Sequence, residues 1–149
     1  MKRFLSLLAL LAIPGSLMGF MEASTYEEMF DKADLVVIAK PSSTSDTKER
    51  SKLPGVGDVI PLIGINTEFE TRVVLKGDKK VRKFVLHHYK LAEPEVPIVN
   101  SPDLAAFDLK SRKSFLLFLI KEADGRYAPA SGQVDPASFS VIKLDSAAE

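Results

Sequence analysis

The stretch Phe115-Leu116-Leu117-Phe118-Leu119-Ile120 is a run of six apolar residues that contains no polar or charged residue. Successive side chains of a strand point to opposite faces, so a strand with this composition is apolar on both sides. Such a strand has to be covered on both faces. The run therefore predicts the central strand of a β-sheet, with Leu117 or Leu119 in its core.

A hairpin and a second buried strand are predicted on either side of this run. Asp124-Gly125 is a hairpin turn signal, and Tyr127 begins the returning strand. Upstream, Leu35-Val36-Val37-Ile38-Ala39 is apolar, rich in β-branched residues and shorter than a typical helix. This segment is predicted to be a buried strand.

Three further strands follow from alternating patterns. Thr67 to Leu75 places Phe69, Thr71 and Val73 on one face and charged residues on the other. Lys83 to Leu91 and Phe139 to Leu144 also alternate. These segments complete five or six strands.

A short helix is predicted from Thr25 to Lys32. Thr25-Tyr26-Glu27-Glu28 has the form of a capping box, in which the threonine and the second glutamate bond each other's backbone amides. Met29 and Phe30 are expected to face the core.

Two stretches, Pro41 to Ile65 and Ala92 to Phe107, show no convincing period and contain several prolines or glycines. Long loops on a rigid scaffold commonly carry binding. We therefore predict that these are the binding loops. Their candidate contact residues are apolar: Leu53, Val59, Ile60, Leu62, Ile63, Val96, Ile98 and Val99.

The N-terminus has the pattern of a secretory signal peptide. Lys2-Arg3 precede an apolar run from Phe4 to Ile13, and Pro14-Gly15 end it. The run is shorter than the ~20 residues that span a bilayer. We expect residues 1–23 to be a signal, residues 24–145 one domain and residues 146–149 a tail. The protein is then secreted or periplasmic, with no membrane span after the signal is removed.

Charge and cysteine content exclude several classes of function. The chain has 20 basic and 20 acidic residues, so it lacks the basic surplus typical of nucleic-acid binding. It has no cysteine, which excludes disulfides, thiolate zinc sites and cysteine nucleophiles. An exported chain without cysteine fits a bacterial periplasm or exterior.

The strand count predicts a mainly β domain, either a sandwich or a small five- to six-stranded antiparallel barrel with one short N-terminal helix. Three segments also resemble the netrin-like module of tissue inhibitors of metalloproteinases, a pattern found in uncharacterised exported bacterial proteins. They are Phe30 to Lys40, Glu68-Phe69-Glu70 with Val74 to Gly77, and Phe115 to Phe118 with Asp124 to Tyr127. The resemblance implies an OB-like barrel.

The chain departs from the animal inhibitors at the residues that inhibit. Those proteins chelate the protease zinc through an N-terminal cysteine and are cross-linked by disulfides, and this chain has no cysteine. The resemblance therefore implies a fold and transfers no inhibitory residue.

His87 and His88 are the only histidines. Neighbours on a strand face opposite sides, so the two cannot bind one ion together without a bulge. The expected arrangement has one histidine packed inside with a satisfied ring nitrogen and the other on the surface. A role in acid–base chemistry with a carboxylate stays open. Because zinc sites normally need four ligands, we predict that folding needs no metal.

Other candidate chemistry has ordinary explanations. A triad of Ser131, His87 and Asp135 can be written, but Ser131-Gly132 lacks the frame of a nucleophile elbow. The basic residues from Lys76 to Lys83 could bind an anionic polymer, although a solvated turn explains them more simply.

These patterns predict an exported, non-enzymatic binding domain that uses no cofactor. Its expected partner is a protein or another cell-surface component, and nucleic acid is not expected. Two alternatives remain: a protease-inhibitor-like module that acts through a loop, and a small periplasmic histidine-dependent hydrolase. A histidine bonded to a carboxylate in a pocket would favour the hydrolase.

Overall fold

A computed structural model describes residues 25–54, 59–94, 103–134 and 136–145. In chain order its elements are α1 (Tyr26–Lys32), β1 (Leu35–Pro54), β2 (Val59–Lys76), β3 (Lys83–Leu91), a 3₁₀ turn (Leu109–Ser111), β4 (Ser114–Lys121), β5 (Tyr127–Pro129), α2 (Pro136–Phe139) and β6 (Val141–Leu144). The predicted signal segment and tail lie outside the described residues. In the part of the chain that is described, no helix has the length and apolar character needed to cross a membrane.

The strands form one mixed sheet of six, which confirms a mainly β domain with a short N-terminal helix. The pairings β1–β2, β2–β3, β3–β5, β5–β4 and β4–β1 close a ring of five strands, and β6 pairs with β4 outside it. The contact between β3 and β5 is parallel and joins Leu86 to Tyr127, whereas the other pairings are antiparallel. The sheet is therefore not antiparallel throughout.

The central strand β4 is covered on both faces, as its sequence predicts. Leu117 and Leu119 are fully buried in the larger core cluster with Leu35, Val37, Phe69 and Leu86. On the other face, Phe118 packs in a second cluster with Met29, Ala33, Val36 and Ala130.

The helix α1 covers this second face. Both hydrogen bonds of the predicted capping box are present, from Glu28 N to Thr25 Oγ1 and from Thr25 N to Glu28 Oε2. Met29 is buried, but Phe30 is 39% exposed, so the prediction that both face the core is wrong for Phe30. A helix of seven residues lying on a sheet buries one side only.

The predicted loop from Pro41 to Ile65 is wrong, because most of this stretch belongs to two long paired strands. The pairing of β1 with β2 continues as far as Pro54 and Val59. Residues 47–49 form a bulge between the pairs Asp46–Ile65 and Arg50–Ile63, and a smaller bulge follows Pro41. Bulges and a proline break the alternation that identifies a strand in a sequence.

The outer half of this hairpin, residues 42–54 with 59–66, is here called the arm. β1 pairs with β4 only from Leu35 to Ala39. Beyond Ala39, the described part of β1 pairs with β2 alone, while β3 pairs with β2 from Leu62 to Glu70. The arm therefore has β1 as its edge strand.

A register shift in β2 corrects the predicted faces of this strand. Ile38 pairs with Val73 and Ala39 pairs with Thr71, so Arg72 is an extra residue. Phe69 is buried as predicted, but Val73 is 47% exposed. Val74 packs against the core in its place, because the bulge exchanges the two faces.

The remaining strands lie close to their predicted positions. β3 has the predicted bounds, and Gly125, with φ of 91°, makes the predicted turn between β4 and β5. The last strand is shorter than predicted, since Phe139 ends α2 and the strand begins at Val141.

Candidate functional site

The described residues predicted for the binding loops lie on strands of the arm. Leu53 and Ile60 are half-buried cross-strand partners, and Val59 begins β2. Leu62 is buried and Ile63 lines a groove, so neither is displayed on a loop. Val96, Ile98 and Val99 lie outside the described residues.

The groove beside Ile63 has a volume of about 450 Å³. Its other lining residues come from the end of β3 and the segment before β4, and they include Tyr89, Leu91, Leu104 and Ala105. The wall is mainly apolar.

His88 lies on the inner face of β3 and is buried, which confirms that one histidine packs inside. Its Nε2 lies 2.8 Å from the hydroxyl of Thr67, and that hydroxyl lies 3.0 Å from Thr44 Oγ1. Burial lowers the pKa of His88 to about 4, with the nearby charge of His87 acting in the same direction and the Ala105 backbone opposing it. His88 is therefore neutral at pH 7.

His87 points to the opposite face, as the strand period requires, but it is also buried. Only 8% of its side chain is exposed, because the turn between β4 and β5 covers it. The expectation of a surface histidine is therefore wrong. The burial of His87 could not be predicted from the sequence, because the turn that lies against it is distant along the chain.

Carboxylates face both ring nitrogens of His87. Nδ1 lies 3.0 Å from each oxygen of Glu122, at the end of β4. Nε2 lies 3.1 Å from Glu49 Oε2, but it has no hydrogen-bond partner of good geometry. Because the two carboxylates lie against different nitrogens of one ring, they cannot bind a single ion together with it.

Arg126 ties Glu49 to this turn. Its Nη1 and Nη2 donate to the two oxygens of Glu49 at 3.1 and 2.8 Å. Nη1 also donates to Asn66 Oδ1 and Nε donates to Asp124, each at 2.8 Å. The bonds from Arg126 lower the pKa of Glu49 to about 2, and the backbone amide of Arg126 lowers the pKa of Asp124.

The bulge at residues 47–49 brings Glu49 to this position. Thr47 Oγ1 donates to the carbonyl of Gly64 at 3.0 Å. A Cβ at Gly64 would lie 2.6 Å from Thr47 Oγ1 and 3.0 Å from Glu49 Cβ. Only glycine leaves room for the bulge to fold down on β2.

We call Glu49, His87, Glu122, Asp124 and Arg126 the ion cluster. It joins the arm (Glu49) to β3 (His87) and to the β4–β5 turn. Charge-assisted bonds, and above all the two-pronged Arg126–Glu49 pair, are geometrically restrictive. The cluster therefore fixes the arm against the body of the domain.

The cluster has few of the features of an active site. The described cavities are lined by residues that do not belong to the ion cluster. Tyr89, which lies near His87 on β3, borders the larger cavity. Within the described ranges, no three His, Cys, Asp or Glu residues are placed to hold a metal ion.

The written triad is not assembled in the described residues. Ser131 Oγ accepts a 2.6 Å hydrogen bond from Ser140 Oγ, and Asp135 lies outside the described residues.

Several lysines of the basic stretch from Lys76 to Lys83 form hydrogen bonds or ion pairs with other residues of the domain. Lys76 Nζ donates to the carbonyls of Phe30 and Asp31, and Lys79 Nζ donates to those of Val74 and Leu75. Lys83 pairs with Glu70. These contacts occupy Lys76, Lys79 and Lys83 within the domain, and the prediction of a solvated turn stays a prediction.

Sequence reasoning missed Glu49, Asn66 and Glu122 and used Arg126 only as part of a turn. Glu49 and Arg126 are 77 positions apart. No local motif could have linked them. No protein-family model matches the chain, and no curated protein matches it.

Proposed function

We propose that the chain is an exported, non-enzymatic protein-binding module that presents the arm to its partner. One observation carries the proposal: from Lys40 to Pro54, a stretch of fifteen residues, β1 pairs with β2 on one side and with no described strand on the other. Unpaired strand edges are templates for association with other chains.

The ion cluster supports this role because it holds the arm in one orientation. A binding element that is already ordered avoids the entropy cost of ordering on association. The proposal moves the binding element from irregular loops to the strands of the arm. Export rests on the N-terminal sequence alone.

The histidine-dependent hydrolase is the second candidate, because His87 is bonded to Glu122. Three features of the site weigh against it. His87 is buried, its Nε2 faces another carboxylate, and no hydroxyl group of the described residues is bonded to that nitrogen. A general base has to be within reach of the proton that it takes.

The three segments that resemble a netrin-like module lie at the end of α1 and the start of β1, in β2, and in the β4–β5 hairpin. We propose an OB-like domain on this basis. An inhibitor-like role would also use the arm, so it is one form of the same proposal.

Photo-cross-linking tests the function. A photoreactive residue at Ser51 or Leu53 of the arm is compared with one at Lys80, in the β2–β3 turn, in extracts of the source organism's exported fraction. We expect a discrete protein adduct from the arm positions only. Equal adducts from all positions, or a hydrolytic activity that His87→Ala abolishes, would contradict the proposal.

A further inference from the structure

We infer that the arm binds an acidic, extended segment of a partner protein by strand addition at Ser42–Asp46. This segment of β1 is called the open edge. The inference rests on the proposed function and names the partner's chemistry and the place of contact.

The open edge lies beyond the part of β1 that pairs with β4. β4 begins at Ser114 and pairs with β1 from Leu35 to Ala39. The chain turns at Arg112, whose φ is 52°, just before β4, and the preceding 3₁₀ turn lies close to β1. An added strand antiparallel to β1 would lie in line with β4 and extend the sheet.

From Ser43 to Asp46, between the bulge at Ser42 and the bulge at residues 47–49, the open edge lacks the features that block strand addition elsewhere in the described fold. Ser42 to Asp46 are all exposed, and four of the five side chains are small hydroxyls. In contrast, Lys79 caps two carbonyls at the free edge of β2, and Arg50 donates to the carbonyls of Thr47 and Glu49 at the bulge. Capping lysines and bulges are how proteins protect sheet edges.

Charge near the open edge selects an acidic partner. Lys40 and Lys48 flank it on β1, and Lys110 and Arg112 lie in the turn just before β4. None of these four side chains forms an ion pair within the described residues. The acids of β1 are already used, because Asp46 binds Lys90 and Glu49 binds Arg126. A segment with carboxylates at its ends would find unpaired cations at both ends of the edge.

In this mode of recognition, main-chain hydrogen bonds supply the affinity and flanking side chains supply the selectivity. The hydroxyl side chains leave the backbone of β1 open to approach. The bulges at Ser42 and at residues 47–49 end the regular ladder, so the bound segment pairs with about four residues of β1, from Ser43 to Asp46.

The probe is a synthetic eight-residue peptide of alternating threonine and valine with a glutamate at each end, titrated into the isotope-labelled full chain. We expect the backbone amide signals of Ser42–Asp46 to move. We also expect the same peptide with every threonine and valine nitrogen methylated not to bind, because neither edge of it can then donate main-chain hydrogen bonds. We expect a peptide with a lysine at each end to bind more weakly than the glutamate-ended peptide, by about tenfold or a larger factor.

Two charge-reversed proteins make a matched pair. Lys40→Glu with Lys48→Glu should weaken binding of the acidic peptide about tenfold. Lys80→Glu with Arg82→Glu changes the net charge equally in the β2–β3 turn and should leave binding unchanged. The two peptide controls use the wild-type chain, so the test does not depend on the folding of either variant.

Shifts that map elsewhere, absence of binding at millimolar peptide, or equal binding of the N-methylated peptide would overturn the inference. Self-association of the wild-type chain that Lys40→Glu with Lys48→Glu abolishes would also overturn it, because the occupant would then be a second copy. If these results coincide with specific cross-links at Leu53, the proposed function stands and only the site of strand addition is wrong.

Discussion

The two halves of β1 belong to one continuous strand but are held in place by different interactions. From Val36 to Ala39, β1 has partners on both sides, and Leu35, Val37 and Ala39 are buried in the larger core cluster. From Ser42 to Pro54 it has one partner, and its residues are mostly exposed. The first part of β1, Leu35 to Ala39, is here called the lower half. It is stabilised by apolar burial, whereas the arm is stabilised by the ion cluster, so the two halves should respond to different perturbations.

The largest effect is expected in the core that supports the lower half. Leu117→Ala should lower the free energy of unfolding by about 2–5 kcal/mol, because Leu117 is fully buried and the substitution leaves a cavity in the core. Leu53→Ala, the matched change in the half-buried arm, should cost clearly less. Denaturant titration measures both, and equal losses would mean that the arm is part of the core.

His88 lies where the arm meets the core, and it should make stability depend on pH. Its folded pKa is about 4, against a usual value of 6.5. The unfolded chain therefore takes up a proton first as the pH falls. This contribution to stability is present above pH 6.5 and is lost between pH 6.5 and 4, by about 3 kcal/mol.

His88→Gln removes this titration and serves as the control. The difference in pH dependence between the two proteins, from pH 7 to pH 4, isolates His88 from the carboxylates. Glu49, with a pKa of about 2, contributes in a lower window, from its usual 4.5 downward. Parallel pH profiles for wild type and His88→Gln would show that His88 is not buried as described.

Gly64→Ala tests the bulge that positions Glu49. The added methyl would overlap Thr47, so we expect a loss of about 1–3 kcal/mol. Thr47→Ala in the same chain removes the nearest atom and should restore part of this loss. A Gly64→Ala protein as stable as wild type would mean that the bulge is not packed against β2.

A smaller effect is expected at the ion cluster. Arg126→Lys keeps the charge but loses the two-pronged bond to Glu49. Because Glu49 is partly exposed, the cost should be about 1 kcal/mol, and it should shrink at high salt. A loss that salt does not change would argue against an electrostatic contact.

The strands and the helix outside the arm could be predicted from the sequence, because the patterns that identify them are local. Six consecutive apolar residues identify β4, alternation identifies β3, and four residues identify the cap of α1. The arm could not be predicted, because its strands are defined by pairing with each other across bulges rather than by a regular period.

The ion cluster was beyond sequence for a related reason. Glu49 and Arg126 meet only after the β4–β5 turn folds over β3, and single charged residues carry no pattern that identifies their partners. His87 shows the same limit. The strand period gave its face correctly, but whether that face is covered depends on a distant turn.

Amide hydrogen exchange in wild type and Arg126→Met tests the central claim most directly, because it reports on the two halves of β1 in one experiment. We predict that the substitution lowers the protection of arm amides from Ser45 to Leu53 about fivefold or more, as expected for a loss of about 1 kcal/mol. The amides of Val36 to Ala39 should keep their protection. An equal fall in both halves, or no fall in the arm, would contradict the account, because the ion cluster would then not be what holds the arm in place.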